Sequence, residues 1–126
     1  GDTVADAISS SLRHVATVMP LAAVFTYTES GFSSFRAARE RPEGPVLGCT
    51  PNRDTARQLA LVWGVHAIIH EVMNSIDEMV ATAIRLSLRE GFGEMGQIIA
   101  ITAGMPFGRT GTTNMLRLTR LKELPD

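Results

Sequence analysis

A chain of 126 residues with a formal net charge of -1 is sized for one domain with its own core, and is too short for a complete (β/α)8 barrel of roughly 250 residues. The near-neutral charge favours neither nucleic acid nor anionic membrane as a partner, and no apolar run reaches the ~20 residues of a membrane span. The single cysteine, Cys49, excludes an intrachain disulfide. Together with a first segment that lacks the layout of a signal peptide, it favours a cytoplasmic location.

The chain alternates between helical and strand-like hydrophobic spacing, in the order α-β-α-β-α-β-α-β followed by a last strand. This order predicts a mostly parallel sheet with helices on both faces. The predicted strands cover residues 21–25, 45–50, 65–69, 98–102 and 115–121. The predicted helices run from a cap at residue 2 or 3 to about 19, over about 33–40, from a cap at 52 to 64, and from a capping box at 75–78 to 91. The last strand is the most polar and is predicted to lie at an edge.

Helical spacing also predicts which side chains of the second helix face the core. Phe35 and Ala38 are expected to point inward, and the charged residues Arg36, Arg39 and Glu40 outward.

The third helix is apolar on more than one side. Its predicted core stripe is widened by two further apolar residues: Ala56, Leu59, Ala60 and Trp63, with Leu61 and Val62. Two interpretations follow, namely a helix covered by both the sheet and a partner subunit, or a helix deeply buried within one subunit.

Two loops rich in glycine and hydroxyl side chains follow the first and fourth strands, at 28–33 and 104–113. A doubly wound sheet has one switch point, and ligands bind in the crevice there. If the first and fourth strands are neighbours, the two loops meet at that point, and the first loop also leads into a helix N-terminus, which favours anions. The sequence therefore predicts an anion site formed by Thr28, Ser30, Gly31 and Ser33 on one loop and by Gly108, Arg109, Thr110 and Gly111 on the other.

Simpler interpretations of the same residues stay open at this point. Ser30 or Ser33 can serve only as a helix cap, and Arg109 can be a solvated loop residue. Glycine-rich loops match many sequences, and no Gly-Lys-Ser/Thr follows that would make this one a Walker loop.

The remaining reactive side chains are interpreted as structural. Cys49 is expected to be a core residue, and His66 and His70 lack a third metal ligand at matched spacing. Asp77 and Glu78 lie in a helix's first turn, where the dipole stabilises acids, so they need no catalytic explanation.

Several motifs together resemble one family. They are Thr-Glu-Ser-Gly-Phe-Ser at 28–33, Arg-Pro at 41–42, Thr-Pro-Asn at 50–52, Ala-Leu-Val-Trp-Gly at 60–64 and Ile-Thr-Ala-Gly-Met-Pro-Phe-Gly-Arg-Thr-Gly-Thr-Thr-Asn at 101–114. In this order the chain resembles the C-terminal domain of pyruvate kinase from about residue 2 to residue 118.

The resemblance implies a three-layer α/β/α sandwich with a five-stranded, mostly parallel sheet whose last strand is antiparallel. It implies a regulatory and oligomerisation domain of the enzyme that converts phosphoenolpyruvate and ADP to pyruvate and ATP. The active site, magnesium and potassium would belong to a catalytic barrel domain, so this domain alone is expected to be non-catalytic and without cofactors. The implied effector is a sugar phosphate or a nucleotide monophosphate such as AMP, held by Thr28, Ser30, Gly31 and Ser33 and closed over by 104–113 with Arg109.

The chain departs from the family pattern at two places. Glu29 and Phe32 stand where many members carry basic or polar residues, and the segment 71–74 is short. We therefore expect an effector with a single phosphate, or a vestigial site. Two rival functions are a free-standing metabolite-binding or assembly domain of the same fold, and a small hydrolase acting through Cys49 or Ser30.

Overall fold

A computed structural model describes residues 3–28, 32–39, 43–62, 64–73, 75–104 and 113–125 of the chain. The elements are α1 (Thr3–Val18), β1 (Leu21–Tyr27), α2 (Phe32–Arg39), β2 (Val46–Thr50), α3 (Arg53–Leu59), β3 (Val65–Ile69), α4 (Ile76–Glu90), β4 (Ile98–Ala103) and β5 (Met115–Arg120). No helix in the described ranges has the length and apolar character needed to cross a bilayer.

The five strands form one sheet in the order β3-β2-β1-β4-β5. The pairs β1–β2, β1–β4 and β2–β3 are parallel, and β4–β5 is antiparallel. The chain winds from β1 through β2 to β3 on one side, and α4 then carries it back to β4 on the other side of β1. The predicted α/β fold class, with a mostly parallel sheet and an antiparallel last strand, is confirmed.

The core has two halves, one on each face of the sheet. Leu12 of α1, Ala37 of α2 and Leu59 of α3 pack against one face, which includes Val24 and Ala100. Residues of α4 pack against the other face: Met79, Val80, Ala83 and Ile84, with Phe25, Leu47, Ile99 and Ile101 from the strands. The strands β1, β2 and β4 are therefore covered on both sides, which explains their continuous apolar sequences.

Local signals fix several helix ends as predicted. The Asn52 side chain accepts hydrogen bonds from the N–H groups of Asp54 and Thr55 at 2.9 and 3.1 Å and caps α3. Ser75 caps α4 by accepting from the Glu78 N–H at 3.0 Å. Gly91 ends α4 with φ at 77°, a left-handed conformation that glycine adopts without strain.

The prediction that α3 continues to Gly64 is wrong. The helix ends at Leu59, and the N–H groups of Leu61 and Val62 bond three residues back in tighter turns. Ala60 is exposed, and Leu61 is 88% exposed, so neither belongs to the core stripe. Trp63 lies outside the described residues.

The predicted inward face of α2 is also wrong in part. The buried residues of α2 include Ser34 and Ala37, whereas Ala38, predicted to point inward, is half-buried. Arg39 is exposed, as predicted. Arg36, predicted to face solvent, has a side chain that is only 19% exposed. The side chain of Phe35 and residue Glu40 lie outside what the structure describes.

Candidate functional site

The switch point of the sheet lies between β1 and β4, which leave the sheet side by side. Thr26 is paired with Thr102, and Tyr27 is paired with Ala103. From here β1 continues toward α2 on one side, whereas β4 leads into 104–113 and returns as β5. The first and fourth strands are therefore neighbours, and a switch point of this kind is where open α/β sheets bind their ligands.

The structure describes the flanks of both predicted loops. Thr28 is half-buried, and its N–H donates to the carbonyl of Cys49 at 2.9 Å, which extends the β1–β2 pairing past the end of β1. The Asn114 N–H donates to the Ala103 carbonyl at 3.0 Å, so the chain returns beside the end of β4 just before β5 begins. The two loops therefore start from neighbouring strand ends, as predicted.

The other predicted site residues are described in part or not at all. Ser33 lies in the first turn of α2, although its side chain is outside the described part of the chain. The remaining ones fall outside the described residues altogether: Ser30, Gly31, Gly108, Arg109, Thr110 and Gly111. Their roles stay predictions.

A buried polar contact holds the first turn of α2 against the sheet. The hydroxyls of Thr26 and Ser34 share a hydrogen bond of 2.5 Å, and Thr26 also donates to the Leu47 carbonyl at 3.3 Å. Both side chains are fully buried, where an unpaired hydroxyl would be costly. Because Ser34 is only three residues into the helix, this contact sets where the N-terminus of α2 lies above the crevice.

A groove lies between α1 and α2 on this face of the sheet, next to the switch point. Arg36 reaches into it from α2, and Nη1 of its guanidinium donates to the Asp6 carboxylate of α1 at 2.8 Å. The lining residues are Ile8, Ser9, Leu12, Arg36, Ala37, Thr102 and Thr113. The groove therefore combines an apolar floor with three hydroxyls and one guanidinium.

The opposite face of the same sheet edge carries Tyr27, Cys49 and His70. The Tyr27 hydroxyl donates to the Met79 carbonyl at 3.1 Å, and its ring meets the His70 ring edge-on with centroids 5.3 Å apart. Burial raises the pKa of Cys49 to about 12, and burial, with a smaller effect of Cys49, raises the pKa of Tyr27 above its usual value. At neutral pH both groups are protonated, so Cys49 lacks the thiolate that a nucleophile needs.

The side chains of His66 and His70 contact backbone and aromatic groups. Nδ1 of His70 bonds the Glu71 carbonyl, and His66 packs edge-on against Phe92. Among the residues that the structure describes, no three His, Cys, Asp or Glu side chains are grouped as metal ligands would be.

Comparison with known proteins decides the family. A family model described as the pyruvate kinase alpha/beta domain matches residues 6–119. The chain belongs to this family. It is 39% identical to a pyruvate kinase of Methylorubrum extorquens over 92% of this chain and 24% of that protein. It is 38% identical to a pyruvate kinase of Geobacillus stearothermophilus over 97% of this chain and 21% of that protein. The chain thus spans between a fifth and a quarter of the length of these relatives.

Sequence reasoning missed two features of this pyruvate kinase alpha/beta domain. Arg36 was assigned to solvent because its partner Asp6 is 30 residues away in the chain, and helical spacing cannot show which helix packs alongside. The Thr26–Ser34 contact was missed because hydrophobic periodicity does not count hydroxyls as core residues. Its only sequence signal is that Thr26 continues the buried face of β1, two residues after Val24.

Proposed function

We propose that this domain is the regulatory and oligomerisation unit of a pyruvate kinase, and that it binds a phosphorylated effector at the switch point between β1 and β4. The observation that carries the proposal is the pairing of Thr26 with Thr102 and of Tyr27 with Ala103. Because of this pairing, the hydroxyl-rich segment after β1 and the glycine-rich segment after β4 begin at adjacent positions of the sheet. The first of these segments leads directly into the N-terminus of α2, where backbone N–H groups and the helix dipole favour a phosphate.

The proposed mechanism is a shift between two arrangements of the enzyme. A phosphate that bridges the two loops favours whichever arrangement brings them together. If the loops also influence how the domain meets the rest of the enzyme, effector binding and catalysis are coupled, and each ligand changes the affinity for the other by the same factor. In this proposal, catalysis with magnesium and potassium takes place in a catalytic barrel domain outside these 126 residues.

Association with other subunits is part of the same proposal. The support is the position of β5, which pairs only with β4 and forms an edge of the sheet. Arg117 and Arg120 are exposed on this strand. An open edge strand offers unpaired backbone groups for pairing with another chain unless charges block it. Sedimentation equilibrium of the 126-residue chain tests this directly, and a monomer at all concentrations up to ~0.1 mM would contradict self-association through this domain.

Effector binding is tested by calorimetric titration of the chain with ribose 5-phosphate, AMP, glucose 6-phosphate and fructose 1,6-bisphosphate. We expect at least one single-phosphate compound to bind. Thr28→Ala should weaken that binding about tenfold or more, because a hydrogen bond to a charged group contributes about 1.5–3 kcal/mol.

A matched threonine serves as control. Thr17 is exposed near the end of α1 and donates to the His14 carbonyl at 2.6 Å, so Thr17→Ala should leave the affinity unchanged. Absence of binding by all four compounds would reject the effector claim. Equal affinities of the parent and of Thr28→Ala would show that Thr28 does not contact the effector. The proposed site would then consist of the other loop residues.

A further inference from the structure

Resting on the proposed function, we infer that the outer edge of β3 and the apolar side chains beside it form the surface on which the catalytic part of the enzyme docks. This surface, called the β3 edge below, is defined by Leu61, Ala67, Ile69 and Val72. β3 comes first in the sheet order β3-β2-β1-β4-β5, and among the described strands it pairs with β2 alone. Its other side is therefore open to a partner.

The backbone of β3 presents hydrogen-bonding groups on this open side. The Gly64 carbonyl accepts from the first residue of β2 at 3.3 Å, and the His70 N–H donates to the Thr50 carbonyl at 3.1 Å. Alternate residues of a strand bond to the same neighbour, so the even-numbered residues of β3 bond to β2. The N–H and C=O groups of Ala67 and Ile69 consequently point away from the sheet.

Exposed apolar side chains are concentrated along the same edge. Of the six large hydrophobic residues that are exposed in the described ranges, three border or belong to β3. Leu61 precedes the strand and is 88% exposed, Ile69 ends it and is 54% exposed, and Val72 follows it and is 49% exposed. Single exposed apolar side chains are ordinary, whereas several along one edge mark an interaction surface.

The two edges of the sheet differ in how they are protected from unwanted pairing. β5 carries the exposed arginines Arg117 and Arg120. β3 reads Val-His-Ala-Ile-Ile, with neither a charged residue nor a proline, and its register with β2 runs from Val65 to Ile69 without a bulge. Edge strands that stay in water are usually protected by charges, prolines or bulges. β3 has none of these, which is the pattern of an edge that another part of the protein covers.

The length of the relatives indicates which partner covers it. The chain spans 24% of the Methylorubrum extorquens pyruvate kinase and 21% of the Geobacillus stearothermophilus one, so most of each relative lies outside the matched segment. A second copy of this domain fits less well, because the proposed self-association already uses β5. A sheet that added copies at both edges would extend without closing.

The chemistry of the β3 edge specifies what the catalytic part must supply. Apolar side chains are needed against Leu61, Ile69 and Val72. Hydrogen-bond acceptors are needed for the N–H groups of Ala67 and Ile69, because covering these groups without a partner would be costly. We therefore expect an apolar surface with exposed backbone carbonyls, rather than a charged one.

The β3 edge is also connected to the switch point through the sheet. Tyr27 at the end of β1 pairs with Cys49 of β2, which pairs with Ile68 of β3. Neighbouring strands lie about 4.8 Å apart, so the β3 edge is about 10 Å from the end of β1. The docking surface and the strand ends that begin the effector loops thus belong to one close-packed sheet, through which binding and catalysis can be coupled.

Hydrogen exchange read by mass spectrometry tests the docking. The isolated chain is compared with a chimera in which this chain replaces its matched segment in the Methylorubrum extorquens pyruvate kinase. We expect the amides of Ala67 and Ile69 to exchange about tenfold or more slowly in the chimera, because the catalytic part covers them. The segment around Met95, whose side chain is 56% exposed away from β3, should exchange alike in both proteins.

A pair of matched variants assigns the protection to the β3 edge. In the chimera, Ile69→Lys should return the exchange of Ala67 to the rate of the isolated chain, because the lysine cannot be buried against an apolar partner. Met95→Lys is the control and should leave the protection of Ala67 unchanged. Circular dichroism checks that each variant is folded, and if Ile69→Lys is not, Val72→Lys takes its place, since Val72 lies outside the strand.

The outcomes separate the docking from the function on which it rests. Equal exchange of Ala67 in the isolated chain and in an active chimera overturns the docking but leaves the assignment to pyruvate kinase. Protection that appears in the isolated chain as its concentration rises assigns the β3 edge to a second copy and also overturns the docking. Absence of effector binding in calorimetry rejects the effector site, whereas protection of Ala67 in the chimera would still support the docking.

A chimera that does not fold is replaced by the relative itself. The strand of the intact Methylorubrum extorquens enzyme that corresponds to β3 should then be protected, and should lose that protection when the matched segment is made alone. Equal exchange in both forms would overturn the docking.

Discussion

Replacing Gly48 by alanine tests how α2 is held above the crevice. Gly48 lies in the middle of β2 and faces α2 and α3. A Cβ at this position would lie 2.8 Å from Oγ of Ser34 and 2.8 Å from Cδ1 of Leu59. Both distances are shorter than a Cβ atom normally keeps from a non-bonded atom, so one neighbour on each helix has to move.

The two clashes differ in how easily they are relieved. The Leu59 methyl is the far end of a flexible side chain, whereas the Ser34 hydroxyl is short, fully buried and bonded to Thr26 at 2.5 Å. We therefore expect the Ser34 clash to dominate and to push the first turn of α2 away from the sheet. Overpacking of this kind destabilises by about 1–3 kcal/mol, which for a domain of this size lowers Tm by roughly 4–12 °C.

Urea unfolding followed by circular dichroism measures the effect, and a double-mutant cycle assigns it. Ser34→Ala alone should cost about 1 kcal/mol, because one buried hydrogen bond is lost. Gly48→Ala together with Ser34→Ala should be less destabilised than the sum of the two single variants by at least ~0.5 kcal/mol, since the alanine no longer meets the hydroxyl. Additive effects, or a Gly48→Ala variant within ~0.5 kcal/mol of the parent, would refute the account of how α2 is positioned.

Two further predictions concern other parts of the fold. Burial raises the pKa of Cys49 from 9.0 to about 12, so the unfolded chain loses this proton at a lower pH than the folded chain does. The contribution of Cys49 to stability is therefore full below about pH 9 and is lost as the pH rises toward 12. Urea unfolding should show a loss of about 1 kcal/mol between pH 7 and pH 10, and this loss should shrink in Cys49→Ala. Cys49 in the native protein should accordingly resist labelling by iodoacetamide at pH 8. Rapid labelling would support the alternative of a hydrolase that acts through Cys49. Ser75→Ala removes the cap of α4 and should lower the free energy of unfolding by about 1 kcal/mol, whereas an effect below ~0.3 kcal/mol would mean that the Ser75–Glu78 contact is not needed in solution.

The order and type of the elements could be predicted because local signals agreed with the tertiary fold. β4 reads Ile98 to Ala103 without a polar residue other than Thr102, which is what coverage on both faces demands. The caps of α3 and α4 could be predicted because Asn52 and Ser75 accept hydrogen bonds from N–H groups only two or three residues away. The antiparallel direction of β5 came only from the family resemblance.

The errors arose where a contact outside the local sequence decides the outcome. α3 was predicted too long because Ala60, Leu61 and Val62 continue an apolar pattern, yet the chain tightens into three-residue turns there to reach β3. The rotation of α2 was predicted from apolar residues alone, whereas the bond between Ser34 and Thr26 fixes it. Residues 105–112 of the second predicted loop lie outside the described structure, so Arg109 stays a prediction.

The small side chains and hydroxyls around α2 explain why the crevice and α1 should respond together. Gly48 lets α2 approach β2 closely, Thr26 fixes the first turn of the helix through Ser34, and Arg36 extends the same helix to Asp6 of α1. A ligand bound at the start of α2 cannot move that turn independently, because the hydrogen bond between Ser34 and Thr26 is fully buried. A displacement of α2 should therefore reach α1 through the ion pair between Arg36 and Asp6, where Asp6 is 62% exposed.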